Sequence, residues 1–158
     1  MKKASVLGGA VILSAVTILM SGLAYGGNYT DHGDGTVTDN VTGLMWQKCS
    51  GGQTNDAACS GTATTYTWQG ALDYCNALTL GGYSDWRLPS VKVLESIVDD
   101  STSSPAIDIA IFPATGSNHY WSSTTSAYST SYAWLVYFGA GHVVYFGKSL
   151  PSYARCVR

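Results

Sequence analysis

Three histidines, four cysteines and a few neighbouring aspartates are the residues of this 158-residue chain whose types bring chemistry to mind. His32, His119 and His142 are too far apart in sequence for metal-ligand spacing, and neither an H-E-x-x-H nor a G-x-S-x-G motif occurs. Asp99 and Asp100 are adjacent, and adjacent carboxylates at a helix end point apart, whereas acid–base work needs groups that share a geometry. They are expected to be solvated. Asp31, Asp34 and Asp39 form an acidic cluster with Gly33 and Gly35, but their spacing misses the EF-hand loop. Turns that open a strand account for them better. Cys49, Cys59, Cys75 and Cys156 lack the close ligand pairs of a zinc module, their spacings being 10, 16 and 81. An even count in an exported chain points instead to two disulfides, for which three pairings exist. Cysteines so paired offer no thiolate. The expectation is a protein that is not an enzyme, with no metal and no cofactor.

What remains is a surface. Residues 122–153 contain one charged side chain, Lys148, where ordinary usage of about 25% would place about eight. Tyr128, Tyr132, Tyr137, Tyr145 and Tyr153 alternate there with Ser, Thr, Gly and His142. Rigid aromatic area mixed with small polar groups is the composition of antibody-like contact surfaces. The plainer reading is that Tyr and Val favour strands, of which one face is buried. Trp121, Trp134 and Val136 are expected in the core. Tyr137, His142, Tyr145, Phe146 and Leu150 are expected to form an exposed ligand-binding face, with Tyr128 and Tyr132 at its rim. The residue types carry a second pattern. Randomising the two adenines of an Asn codon never yields Lys, Glu, Gln, Met or Trp, and between Ser122 and Tyr153 only Trp134 and Lys148 fall outside the reachable set.

The elements that must position this face follow from periodicity. Thr36-Val37-Thr38-Asp39 and Leu44-Met45-Trp46-Gln47, separated by Asn40-Val41-Thr42-Gly43, predict a strand, a turn and a strand. Residues 49–65 form a Gly/Ser/Thr/Ala-rich loop with a Cys at either end of its first part, and a local staple is expected. Trp68, Ala71, Leu72, Cys75 and Leu78 define an amphipathic helix, which Thr67 can cap and Gly81-Gly82 can end. Cys75 lies on its buried stripe, so its partner should come from the core. Trp86-Arg87-Leu88-Pro89 is extended. Ser90 caps a second helix to about Val98, with Val91, Leu94, Ile97 and Val98 inward. An irregular stretch over residues 101–117 precedes short strands at Tyr120-Trp121-Ser122-Ser123, residues 132–138, 142–146 and 153–157. The class is α+β.

Length and charge bound the rest. Met1-Lys2-Lys3, an uncharged apolar run over residues 4–20 and the small-residue stretch Ser21-Gly22-Leu23-Ala24-Tyr25-Gly26 predict a secretory signal peptide over residues 1–26. One domain over residues 27–158 is expected to remain, secreted, periplasmic or at a bacterial cell surface, with no stable membrane insertion once the leader is cut. The eight Lys and Arg become six without Lys2 and Lys3, against ten Asp and Glu, a net charge of −4. That sign disfavours nucleic acid as a partner. High aromatic and low charge content, at 12% and 11%, exclude a disordered chain.

Asp34-Gly35-Thr36-Val37-Thr38-Asp39, Thr42-Gly43-Leu44-Met45-Trp46, Trp68-x-x-Ala71, Tyr83-x-Asp85-Trp86-Arg87-Leu88-Pro89, Tyr120-Trp121-Ser122-Ser123 and Arg155-Cys156-Val157-Arg158 together resemble the Lcl C-terminal domain family. The likeness runs from about Tyr29 to Arg158. It implies a C-type-lectin-like fold, shared with formylglycine-generating-enzyme domains and with retroelement-diversified binding proteins. It also implies the pairing Cys75–Cys156, with Cys49–Cys59 closing the early loop. Val93 departs from the Glu that the family often carries three residues after Ser90, which leaves the capping box incomplete. The lectin calcium ligands are not in this sequence: Ser104-Pro105-Ala106 and Trp121-Ser122-Ser123 stand where they would be. The expected function is an exported binding domain for a protein or polysaccharide ligand at a cell surface, an adhesin or a retroelement variable protein. The alternative is a thiol- or metal-dependent enzyme of the formylglycine-generating type.

Overall fold

The computed structural model describes residues 28–158, so the expected signal peptide lies outside the described residues. Among the described residues, two three-stranded antiparallel sheets and two helices make up the architecture, which is α+β and compatible with a C-type-lectin-like arrangement.

The first sheet has the order β1 (Tyr29–Asp31), β2 (Thr36–Asp39), β3 (Met45–Gln47). Val37 lies opposite Trp46, and both are fully buried, as the alternation of β2 requires. Asp39 builds the β2–β3 turn: its carboxylate accepts the Val41 N–H at 2.9 Å and the Thr42 hydroxyl at 2.7 Å. Gly43 then turns with φ of +72°, a region that a residue without Cβ enters freely. Strand β1 is an addition to the sequence reading. Its three residues have no hydrophobic alternation, and only pairing with β2 makes them a strand.

Helix α1 (Trp68–Ala77) starts where expected, with the Thr67 hydroxyl accepting the Gly70 N–H at 3.2 Å. Its end differs. Gly81 and Gly82 do not cap it; with φ of +60° and +80° they form a two-residue turn that pairs Leu80 and Tyr83 through two 3.0 Å bonds. Positive φ at both central positions is the turn that a tight hairpin favours. Helix α2 (Val91–Glu95) is shorter than the reading to Val98. The Ser96 hydroxyl donates back to the Val93 carbonyl at 2.7 Å, and the Ile97 and Val98 N–H groups reach carbonyls three residues back, so the last turn tightens and stops.

The second sheet has the order β4 (His119–Thr125), β5 (Tyr132–Tyr137), β6 (His142–Gly147). It divides the core. Tyr120 and Val136 belong to a cluster with Leu94, Ile97, Ile107 and Phe112, while Trp121, Ala133 and Leu135 pack with Ala71, Cys75, Trp86 and Leu88 on the α1 side.

The strand expected over residues 153–157 is not a continuous strand. The segment threads between other elements and makes only isolated bridges: Tyr153 to Tyr120, and Val157 to both Trp46 and Arg87. Its side chains still alternate. Ala154 and Cys156 enter the α1-side core, whereas Val157 enters the other, and the Arg155 guanidinium sits 4.7 Å from the Phe112 ring centroid. Both disulfides are those that the resemblance implied. Cys49–Cys59 closes the early loop and Cys75–Cys156 ties α1 to the C-terminal segment.

Candidate binding face

The aspartates that could have held a metal are occupied with the backbone. Asp31 accepts the Gly33 N–H and pairs with Lys48 at 2.6 Å, while Asp34 accepts both the N–H and the hydroxyl of Thr36. Asp99 does the same for Ser101. Each is an Asx-type turn. Among the described residues no group of three or more His, Cys, Asp or Glu gathers closely enough to hold a metal ion, and no helix is long and apolar enough to cross a membrane.

Of the aromatics expected at the surface, Tyr128, Tyr132 and Tyr145 are exposed, whereas Tyr137 and Phe146 are half-buried, and they do not all share one face. Successive side chains on a strand point to opposite sides. Cross-strand partners Trp134 and Tyr145, with Tyr132 and Val143, therefore lie on the α2 side of the second sheet; Tyr137, His142 and Phe146 lie on the α1 side. The expected single face divides into two groups, with Leu150 apart in the turn after β6.

On the α2 side, Tyr145 is the hub. Its ring meets Trp134 at 5.4 Å and Tyr132 at 5.9 Å in edge-to-face geometry, and Tyr128 at 6.3 Å. The three tyrosines are solvent-exposed: Tyr128 84%, Tyr145 49% and Tyr132 41%. Trp134 was expected in the core and is only half-buried. Val136 on the same face is fully covered, whereas Trp134 lies beside the first turn of α2 and borders an open groove there. Between them a groove of about 390 Å³ opens, lined by Val91, Lys92, Glu95, Trp134 and Val143. Its walls are mainly apolar, and Lys92 and Glu95 pair with each other at 3.3 Å on its rim. Val91, Lys92, Glu95 and Val143 were missed by the sequence reading. Their signal was present only as α2 itself, whose position over the sheet is a tertiary fact.

On the α1 side, His119 stacks on Tyr137 at 4.5 Å and tilts against Phe146 at 4.7 Å, with His142 at 5.3 Å from Tyr137. Burial, and next to it the neighbouring His142, lower the His119 pKa below the usual imidazole value. His119 thus favours its neutral form, as a packed ring does. The inner part of this group belongs to the core around α1: Phe146 and Val144 pack on that cluster.

The family model of the Lcl C-terminal domain matches residues 35–158. The chain belongs to that family. No curated protein matches it.

Proposed function

We propose that this domain is an exported, non-enzymatic binding module, displayed at a cell surface in the manner of an adhesin, that engages its ligand with the α2-side aromatic face. The carrying observation is the Tyr128–Tyr132–Trp134–Tyr145 cluster beside a mostly apolar groove. A protein ligand fits it better than a polysaccharide. The rings of Trp134 and Tyr132 stand nearly perpendicular to Tyr145, at 80° and 78°, which makes a wedge rather than a flat stacking platform. A groove of this size beside the wedge can take an apolar side chain as an anchor, the arrangement from which protein hot spots are built.

Export is supported by two disulfides and by the leader-like N-terminus. The non-enzymatic reading is supported by the pairing of all four cysteines, which removes the thiolate that formylglycine-generating chemistry would use. The codon pattern does not by itself mark diversified positions, because residues of the same set also fill the core at Ala133, Leu135, Val136 and Phe138.

The test is a parallel selection. Wild type and Tyr145→Ala are screened against a displayed peptide library and a glycan array, with thermal melts of both proteins. Peptides with an apolar anchor should enrich on wild type and be lost on an equally stable Tyr145→Ala. Equal enrichment on both proteins, or binding to glycans alone, overturns the proposal.

A further inference from the structure

Strand β6 is the outer strand of its sheet, and among the described residues the only main-chain hydrogen bond that reaches it from outside β5 is at its very end, from the Leu150 N–H to the Gly147 carbonyl at 3.0 Å, which leaves residues 142–146 open. Open edges are usually guarded by charge, proline or a covering element. Residues 142–147 (His-Val-Val-Tyr-Phe-Gly) contain no proline and no Lys, Arg, Asp or Glu. The one nearby charge, Lys148, is turned inward: its ammonium donates to the Thr125 hydroxyl at 2.9 Å and lies 3.7 Å from the Trp68 ring centroid. The edge is therefore neutral and unprotected over residues 142–146.

We propose that β6 pairs antiparallel with β6 of a second copy of this chain. The strand is complementary to itself about Val144. A two-fold axis midway between the two Val144 residues, perpendicular to the sheet, keeps each side of the sheet on its own side in the pair. Val143 then falls beside Tyr145 of the second copy on the α2 side, and His142 beside Phe146 of the second copy on the α1 side. A β-branched residue opposite an aromatic is a favourable cross-strand pair. A histidine against Phe146 repeats a contact that the chain already makes with His119. With no charge on the edge, two identical strands meet without repulsion, and each contact is made twice, as in any isologous interface. Pairing joins two three-stranded sheets into one of six strands. Two Tyr145 clusters then lie on one continuous face, so an exported monomeric module becomes a bivalent one.

Sedimentation velocity of the purified mature protein, without any ligand, tests this apart from the ligand reading. Wild type should pass from monomer to twice that mass as concentration rises. His142→Lys and Tyr145→Lys replace exposed side chains and place charge on the edge; each should weaken the dimer by about tenfold or more, since each disrupted pair occurs twice across the axis. The double variant His142→Cys/Phe146→Cys should form an interchain disulfide under mild oxidant, and neither single variant should. A wild type that stays monomeric throughout, a dimer indifferent to both lysines, or a double variant that does not cross-link would each overturn the proposal. Thermal melts confirm that the variants are folded.

Discussion

Removing the two disulfides one at a time should separate their roles by a calculable margin. Cys75–Cys156 spans 81 positions and Cys49–Cys59 spans 10. In the chain-entropy relation for loop closure, these lengths correspond to about 4.5 and about 2.7 kcal/mol at 25 °C, a difference of about 1.8 kcal/mol. Packing acts in the same direction. All four cysteines are buried, but only Cys75 and Cys156 belong to a hydrophobic core cluster, the one with Trp86, Leu88 and Trp121. Their replacement by Ala also leaves a void there, which adds to the cost. A domain of this size has about 5–15 kcal/mol to lose, so Cys75→Ala/Cys156→Ala should be marginally folded while Cys49→Ala/Cys59→Ala remains stable. Urea unfolding of both variants and of wild type, compared as free energies, reads this directly. Equal losses, or a larger loss from the short loop, would refute the view that the long bridge holds the C-terminal segment in place.

Two further perturbations follow from buried groups. Arg155 is fully buried and makes no ion pair among the described residues; one terminal nitrogen donates to Thr115 at 2.7 Å and to Ser50 at 3.3 Å. Both hydroxyls keep another partner without it, the Phe112 carbonyl and the Tyr120 hydroxyl, so Arg155→Met should leave urea stability unchanged or raise it by about 1–4 kcal/mol; a loss of similar size would show that the charge is compensated after all. The lowered pKa of His119 means that the unfolded chain binds its proton first as pH falls. Its contribution is fully present above the ordinary imidazole range and is lost as pH drops through that range to the folded value. Unfolding free energy should therefore fall between pH 7.5 and 5.5 in wild type and fall less in His119→Phe, whose ring keeps the stack on Tyr137; parallel profiles would remove His119 as the cause.

What could be read from the sequence was local. The hydroxyls of Thr67 and Ser90 cap their helices because a side-chain oxygen meets free N–H groups at a helix start whatever surrounds it. The buried stripe through Ala71 and Cys75 follows from helical period alone, and it already required a core partner for Cys75. What could not be read depended on packing. The segment at residues 153–157 has strand-like alternation, yet it runs between β3 and the Trp86–Leu88 stretch and bridges each only at single positions. The binding face was legible in composition but not in geometry. Tyr137 and Tyr145 are equally aromatic in sequence, and only the β5–β6 register sends them to opposite sides of the sheet. Trp134 and Val136 share a face and both were expected in the core, but Trp134 borders the open groove beside the start of α2, which only the packing of the helix on the sheet decides.

The most direct measurement is a backbone and side-chain NMR titration of the isotope-labelled domain with a peptide recovered from the selection, run with and without a calcium chelator. Shift changes should concentrate on Tyr128, Tyr132, Trp134, Tyr145 and the Val91–Glu95 helix, be the same with chelator, and leave His119 and Tyr137 nearly unmoved. Changes centred on His119, Tyr137, His142 and Phe146, or binding that disappears with chelator, would contradict the assignment of the α2-side aromatic face as the binding surface.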